Sequence, residues 1–250
     1  MALIKDIQPR GIASAYSKDK PFDEGKAELE QDGYHVISLE ENARLRIQEG
    51  KDSYVSQNGN WVKEGFLYIP RKGKFLTKTS PIIVNSVEAT KAHRSGNEFY
   101  LTDEQVEQGL ADSLKLKDRG FSVPTKRFGD DELTVYAFRN SAQVYGDFLK
   151  DAGIEEMPVW MVNNIGDKPF ARQAWFDRLD FGSRLVGYVR GLGVDYRVRG
   201  VREDALASEP SKTAVGGSKP TLYSPKQISR ALTDLGFSGL NDGLLKKLHQ

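Results

Sequence analysis

The chain has 250 residues, with 36 basic and 35 acidic side chains and a formal charge of +1. This balance predicts no general attraction to nucleic acid or to anionic membranes. The chain contains no cysteine, which excludes disulfides, thiolate metal sites and cysteine nucleophiles. We expect no secretory signal, because residues 1–26 lack an apolar stretch. We also expect no membrane insertion, because no apolar run approaches the roughly 20 residues of a membrane span.

The first third of the chain is predicted to be rich in strands. Residues 1–30 are polar and weakly patterned, whereas the sequence from residue 34 to about residue 87 contains β-branched and aromatic runs separated by turn residues. The predicted strands are YHVISL (34–39), WVKEGFLYIP (61–70), KFLTKT (74–79) and PIIVNSV (81–87). Residues 1–87 are either an attachment region or part of the same domain as the residues that follow.

Two helices are predicted in the middle of the chain. The first covers residues 103–117, with Thr102 or Asp103 as the N-cap and lysines in its last turn. The second covers residues 141–153, where apolar residues recur at helical spacing. The segments FSVPT (121–125), ELTVYAF (132–138) and MPVWMV (157–162) are predicted strands. Two helices among many short strands indicate an α+β fold class.

The end of the chain is predicted to contain a linker and two short helices. Residues 204–220 have the composition of a flexible linker, and residues 221–250 contain the helices, with Ser224 as a cap and Pro225 at the first helical position. Their apolar residues are Ile228, Leu232, Leu235 and Phe237. The helices either dock on a partner or pack on their own domain, and the sequence leaves both alternatives open.

Residues 176–201 form a segment of unusual composition, FDRLDFGSRLVGYVRGLGVDYRVRGV. The segment uses eight residue types and lacks Lys, Glu, Gln, Met and Trp, which together supply 52 of the 250 residues. Randomising both adenines of an AAC or AAT codon yields a set of residue types that never includes those five. The composition therefore indicates adenine-directed mutagenesis. The alternative is an ordinary run of short strands and loops interrupted by glycines.

This part of the chain resembles the variable proteins of diversity-generating retroelements, which carry a C-type lectin fold akin to that of formylglycine-generating enzymes. In that family the end of the domain runs from a Gly-Gly-Ser-Trp motif to a closing Gly-Phe-Arg strand. RQAW (172–175) and RVRGVR (197–202) occupy these places here, with an Arg-Gln-Ala-Trp form and Val201 in place of the closing Phe. Upstream, residues 133–160 follow the family's order, with Ala142, Tyr145 and Phe148 on a helix and a turn at Met157-Pro158.

The resemblance covers about residues 88–202 and implies a C-type lectin-like domain at 88–203 with a variable region at 174–202. Such a fold displays variable side chains on one face of a rigid scaffold. We assign to the core Leu179, Leu185, Leu192, Val198 and Val201, and to the scaffold Gly187, Arg190, Arg197, Arg199 and Gly200. Trp175 is expected in the core beneath the binding site, and Trp160 is also expected in the core.

The remaining positions up to residue 196 are the predicted ligand-binding residues. They are Phe176, Asp177, Asp180, Phe181, Gly182, Arg184, Val186, Tyr188, Val189, Gly191, Gly193, Val194, Asp195 and Tyr196. Large aromatic and arginine side chains mixed with Gly and Asp are typical of protein-binding surfaces. A core position is the alternative for each aromatic member of this set.

The sequence predicts a ligand-binding display protein and not an enzyme, and a virion or a cell surface is among the locations that it leaves open. Its ligand is expected to be a variable macromolecule, a protein or a cell-surface receptor, and the sequence leaves the location and the oligomeric state open. The alternative is a single-stranded nucleic-acid-binding protein in which the Arg and Tyr side chains of residues 184–202 contact phosphates and bases. Asp177, Asp180 and Asp195 dilute the positive charge that this alternative requires.

No catalytic residue, cofactor or metal ligand is predicted. Formylglycine generation depends on cysteine, which the chain lacks. The Glu-Pro-Asn motif of calcium-dependent lectins has only a poor counterpart in EPS (209–211), so we predict no calcium site. His35, His93 and His249 are too scattered along the sequence to predict a metal triad.

Overall fold

The computed structural model describes residues 3–6, 12–188, 191–193 and 197–202. The strands are, in chain order, β1 (Ile4–Asp6), β2 (Ala13–Ser17), β3 (His35–Val36), β4 (Asn60–Ile69), β5 (Gly73–Thr77), β6 (Phe99–Tyr100), β7 (Ser113–Lys115), β8 (Phe121–Pro124), β9 (Glu156–Trp160), β10 (Phe170–Phe176), β11 (Leu185–Val186) and β12 (Val198–Arg202). The α-helices are α1 (Phe22–Gln31), α2 (Leu39–Glu49), α3 (Tyr54–Gln57), α4 (Pro81–Val84), α5 (Ser86–Arg94), α6 (Asp103–Ala111), α7 (Glu132–Phe138) and α8 (Ala142–Asp151). Single 3-10 turns are Thr125–Arg127, Arg139–Ser141 and Leu179–Phe181.

The described strands form one sheet whose main path is β1-β2-β12-β4-β10-β11-β9-β8. At its centre, β4 pairs antiparallel with β10 and parallel with β12. Because β4 lies within residues 1–87 and its two partners lie after residue 169, both parts of the chain share the sheet and belong to one compact unit. The linker and helices predicted at 204–250 lie outside the described residues.

Strand β4 is covered on both faces of the sheet. Successive side chains of a strand point to opposite faces, and those of β4 alternate between two apolar clusters. Val62, Phe66 and Tyr68 belong to one cluster, and Trp61 and Leu67 belong to the other. All five side chains are at most 1% exposed. The strand that supports the unusual segment is therefore fixed from both sides.

The strand predicted at residues 81–87 is wrong, because this stretch forms α4 and the start of α5. The Ser80 hydroxyl accepts a hydrogen bond from the Ile82 N–H at 3.2 Å, and Pro81 occupies the first turn. A capping side chain and a proline at this position both stabilise a helix start. These local signals outweigh the β-branched residues on which the strand prediction depended.

The strand predicted at residues 132–138 is also wrong, since this stretch is helix α7. The Asp131 carboxylate caps the helix by accepting hydrogen bonds from the Leu133 and Thr134 N–H groups at 3.0 and 3.2 Å. The helix predicted at 103–117 ends at Ala111 instead. Its last residues form β7, which pairs with β5 and completes that edge of the sheet.

The polar start of the chain contains more structure than its weak pattern indicates. Residues 13–17 form β2, which pairs along its whole length with β12. Residues 22–31 form α1, whose Phe22 ring packs edge-on against Trp61 with centroids 6.4 Å apart. Of the strand predicted at 34–39, only His35–Val36 is extended, because Ser38 already caps helix α2.

Candidate ligand-binding face

The unusual segment starts at the last residue of β10 and ends in β12. Between these two strands lie the 3-10 turn, strand β11 and the described residues 191–193. The five residues assigned to the core, Leu179, Leu185, Leu192, Val198 and Val201, are all buried. This part of the prediction is confirmed.

Three residues predicted on the exposed face are buried instead. Phe176 is 0% exposed and packs against the rings of Phe138 and Tyr145, with centroids 5.9 and 6.1 Å away. Val186 in β11 is 3% exposed, and Asp177 is 8% exposed. Their assignment to the displayed set is wrong. Phe176 and Val186 lie on paired strands inside a sheet that is covered on both faces, and the Asp177 carboxylate is held at the end of β10 by hydrogen bonds from Arg178 and Arg184.

Gly182 has a structural reason to be glycine. It ends the 3-10 turn with a φ of 70°, in the left-handed region that side chains with a Cβ adopt at a cost of about 1–2 kcal/mol. Ser183 follows with a φ of 54°. We conclude that Gly182 shapes the turn. Substitution of Gly182 is unfavourable, which argues against its predicted assignment to the variable contact residues.

The other described members of the predicted set reach the surface. Phe181 and Tyr188 are 46% and 45% exposed, and Asp180 is exposed as well. Arg184, Gly191 and Gly193 are half-buried. Val189, Val194, Asp195 and Tyr196 lie outside the described residues, as does the scaffold residue Arg190. The binding role of all these residues stays a prediction.

Three exposed aromatic and two half-buried arginine side chains stack in a continuous row, which we call the aromatic–arginine row: Tyr188, Trp160, Arg184, Phe181 and Arg178. The Tyr188 and Trp160 rings are stacked with centroids 6.1 Å apart. The Arg184 guanidinium lies 4.3 Å from the Trp160 centroid and 4.6 Å from the Phe181 centroid. The Arg178 guanidinium lies 4.3 Å from the Phe181 centroid. Such cation–π contacts align planar groups before any ligand binds.

A buried carboxylate fixes the centre of the row. Asp177 Oδ2 accepts hydrogen bonds from Arg184 Nε at 3.0 Å and Nη2 at 2.6 Å. Asp177 Oδ1 accepts from the Arg178 N–H at 3.0 Å. A charged pair with this geometry is strong and directional. Asp177 therefore supports the face from below rather than forming part of its surface.

Trp160 is not in the core as predicted, because 39% of it is exposed and it forms part of the row. Its chain neighbours, Val159 in β9 and Met161 just after the strand, are buried, so the alternation of the chain turns Trp160 outward. Trp175 is half-buried and lies edge-on to Trp61 with centroids 5.1 Å apart, packed on the second apolar cluster. It packs on the core without being fully buried in it, and its expected place beneath the binding site stays a prediction.

The backbone of Gly187 is fixed in both directions. Its N–H donates to the Trp160 carbonyl at 2.7 Å, and its carbonyl accepts from the Tyr68 hydroxyl at 2.8 Å. Burial raises the pKa of the Tyr68 hydroxyl well above its usual value, so this donor keeps its proton at any physiological pH. A Cβ at Gly187 would lie 2.5 Å from the Phe66 ring, which agrees with its assignment to the scaffold.

The 3-10 turn is held from a distant part of the chain by Arg46 on α2, which is 0% exposed. Its Nη1 donates to Tyr145 Oη at 3.0 Å and to Ser183 Oγ at 2.8 Å, and its Nη2 donates to the Asp177 carbonyl at 2.8 Å. Its guanidinium also lies 4.4 Å from the Phe176 centroid. The sequence pattern does not single out Arg46. The signal was the capping box of Ser38 and Glu41, which marks the start of α2.

By sequence, the chain matches neither a protein-family model nor a curated protein. By structure, it matches a solved protein described as accommodating massive sequence variation in Nanoarchaeota by the C-type lectin fold, with a TM-score of 0.57 and 16% identity. The match covers 79% of this chain and all of that protein. The chain has a C-type lectin fold.

Within this C-type lectin fold, a second ion pair supports the row at Tyr188. Arg172 on β10 is 6% exposed in its side chain and pairs with Glu98, with 3.0 Å between Nε and Oε2. The same guanidinium donates through Nη1 to the Tyr188 carbonyl. The backbone of Tyr188 is thus fixed by a side chain that lies outside the unusual segment.

The three described arginines of residues 197–202 in the C-type lectin fold do not continue the row. Arg199 is 2% exposed and donates to Ser14 Oγ at 3.0 Å. Arg197 Nε donates to the Tyr54 hydroxyl at 2.7 Å, and the Arg202 guanidinium lies 4.6 Å from the Tyr34 centroid. These side chains tie β12 to neighbouring elements. They do not form the single track of cations that a bound phosphate backbone requires.

No group of three or more His, Cys, Asp or Glu side chains among the described residues is placed to hold a metal ion. None of the helices in that part of the chain is both long and apolar enough to traverse a bilayer.

Proposed function

We propose that this chain is a non-enzymatic ligand-binding protein whose binding face is the aromatic–arginine row. We propose further that the exposed positions of residues 176–196 are diversified by adenine-directed, reverse-transcriptase-dependent mutagenesis, and that the ligand is a protein or a cell-surface receptor. The observation that carries the proposal is the close approach of three side chains of the unusual segment. In a segment whose composition fits mutagenised AAC or AAT codons, Phe181, Arg184 and Tyr188 converge on one surface.

The supports of this surface favour diversification. Arg46 and Tyr68 hold the segment through the carbonyls of Asp177 and Gly187, and main-chain carbonyls are present whatever side chain follows. A surface held in this way tolerates exchange of its exposed side chains. The solved protein with the same fold is described in terms of massive sequence variation, which supports the same conclusion for this chain.

The nucleic-acid alternative has weaker support. Asp177 neutralises Arg184 with 2.6 Å between Oδ2 and Nη2, and Asp180 lies 3.7 Å from Arg178. Arg199 is buried. Affinity for nucleic acid comes largely from uncompensated cations that replace counterions along the backbone, and these arginines already have anionic or structural partners. The row offers flat apolar and polar contacts of the kind that protein interfaces use.

Sequencing the DNA around the gene tests diversification. We expect a second copy of the segment that encodes residues 174–202, beside a reverse transcriptase gene, differing from the first only where the second copy carries adenines. The codons that differ should encode exposed positions such as Phe181 and Tyr188, not buried ones such as Leu185. A locus with no second copy would contradict diversification.

A display library tests the binding face. The full chain is displayed on yeast with Asp180, Phe181, Tyr188 and Gly193 randomised, and a control library randomises Leu179, Leu185 and Val186. The first library should keep the folded state, because exposed substitutions change the free energy of unfolding by about 0.5 kcal/mol or less. It should also yield binders to immobilised lysozyme and streptavidin. The control library should lose the folded state. If the first library yields no binder to either target, the proposed binding face is wrong.

A further inference from the structure

Trp160 occupies the centre of the aromatic–arginine row without belonging to the unusual segment. It lies on β9, ahead of residue 176, yet its ring stacks on Tyr188 with centroids 6.1 Å apart. On the other side the Arg184 guanidinium lies 4.3 Å from its centroid. A ligand that spans Tyr188 and Arg184 therefore also covers Trp160.

The position of Trp160 is set by the sheet. Strand β9 runs parallel to β11, and Trp160 pairs with Val186 in that ladder. Its carbonyl also accepts the hydrogen bond from the Gly187 N–H at 2.7 Å. The backbone of Trp160 is thus joined to the segment at two successive residues. A rigid aromatic side chain on such a strand loses little conformational entropy when a ligand binds.

The exposure of Trp160 has no structural need behind it. Val159 and Met161, on either side, already bury the inward face of β9. At 39% exposure, Trp160 adds a large apolar surface beside Phe181 and Tyr188, which are also exposed. A contiguous exposed aromatic patch on a soluble domain marks an interaction surface, and Trp is the residue type most enriched among residues that dominate binding energy.

We infer that Trp160 is a constant contact residue of the binding face, shared by every variant of the segment, and that the partner it contacts is a folded protein surface. This inference rests on the proposed function. The charges beside Trp160 are compensated locally, since Arg184 pairs with Asp177 at 2.6 Å and Arg178 lies 3.7 Å from Asp180. Recognition at Trp160 therefore depends on apolar and planar contact, with the variable residues around it selecting among partners.

The test uses the lysozyme and streptavidin binders selected from the library described above. Trp160→Ala is introduced into several binders of each target, and their Kd values are compared with those of the parents. We expect at least tenfold weaker binding for both targets. Trp160→Phe, which keeps an aromatic ring at this position, should weaken binding at least threefold and serves if the alanine variant does not fold. Val84→Ala, which removes an apolar side chain that is 79% exposed on α4, should change Kd by less than twofold.

The experiment distinguishes failure of the Trp160 inference from failure of the proposed binding face. If folded Trp160 variants of binders to both targets keep Kd within twofold of their parents, the constant-contact inference is overturned and the proposed binding face stands. If the library yields no binders at all, the proposed binding face fails before Trp160 is tested.

Discussion

Arg46 is a buried cation that donates three hydrogen bonds, two of them to the segment that carries the row. Those bonds end on neutral oxygens of Tyr145, Ser183 and the Asp177 backbone. The Tyr145 and Ser183 hydroxyls also bond to each other at 2.6 Å. The guanidinium thus links α2, α8 and the 3-10 turn at one point. A change at Arg46 should alter the turn more than it alters the rest of the fold.

Arg46→Met should speed amide hydrogen exchange at residues 177–183 and lower the free energy of unfolding by about 1–3 kcal/mol, because the Asp177 carbonyl loses a charged donor in a buried site. Hydrogen exchange with mass spectrometry, together with urea unfolding, measures both effects. Arg44→Met on the same helix, at an exposed position, is the matched control and should leave both unchanged. Equal exchange rates in the two variants would contradict the role of Arg46.

Glu64 gives the molecule a predicted dependence on pH. It is 2% exposed, and its Oε2 accepts a hydrogen bond from the Leu39 N–H at 2.9 Å. Burial raises the pKa of this carboxyl to about 8, although hydrogen bonds from the backbone and the nearby charge of Lys78 oppose the shift. Each pKa unit corresponds to about 1.4 kcal/mol of difference between the two protonation states.

The direction of the pH dependence follows from whether the folded or the unfolded state holds the Glu64 proton. The folded pKa of Glu64 lies above the ordinary value of 4.5, so between about pH 4.5 and pH 8 the unfolded chain releases a proton that the folded chain keeps. The contribution of Glu64 to stability is therefore complete at low pH and declines through this window. Relative to its difference from the wild type at about pH 4, below the unfolded pKa, Glu64→Gln should gain free energy of unfolding over the wild type by pH 8.5, as measured by urea titration. Parallel pH profiles would show that Glu64 does not titrate in this range.

At the scale of elements, two glycines of the segment differ in the space around them. A Cβ at Gly187 would meet the buried Phe66 ring at 2.5 Å, whereas a Cβ at Gly193 has nothing within 4 Å. Gly187→Ala should destabilise the protein by about 1–3 kcal/mol through overpacking between β4 and the residue after β11. Gly193→Ala should stay within about 0.5 kcal/mol of the wild type. Thermal unfolding of the pair checks this, and equal melting temperatures would contradict the contact with Phe66.

The sequence predicted elements well where one signal dominated. Helix α8 and strands β4, β5, β8 and β9 lie where the apolar pattern placed them. Helix α7 was predicted as a strand because Thr134 and Val135 are β-branched, and the cap from Asp131 decided otherwise. Helix α2 was missed because its apolar residues are few, although the capping box of Ser38 and Glu41 marks its start.

At the scale of the molecule, the α+β class and the C-type lectin fold were predictable from the composition of one segment and the order of its surrounding motifs, and the fold match confirms them. The binding face was predictable only in part. Composition indicates which residue types a segment favours, but it carries no information on which side of a strand a residue lies. For that reason Phe176 and Val186 were placed outside, and Trp160 was placed inside.

The shared sheet predicts which fragments fold. Residues 88–203 alone should not fold, because β10 would lose its long ladder with β4 and the core would lose Trp61, Phe66 and Tyr68. A fragment of residues 1–208, which is one compact unit, should unfold in a single cooperative transition. Circular dichroism of both fragments measures this. A cooperative transition in the 88–203 fragment would show that the lectin-like part is independent of the preceding strands.

The two strands that flank the segment have a mechanical consequence. Strand β10 is bonded to β4 and β11, and β12 is bonded to β2, β3 and β4. A force applied to the proposed binding face would enter the chain at both ends of the segment. It would reach β10 at one end and β12 at the other, and each of these strands is hydrogen-bonded along both of its edges. Detaching either strand requires the bonds along both of its edges to break together, so the segment is anchored at both ends against force applied to the proposed face.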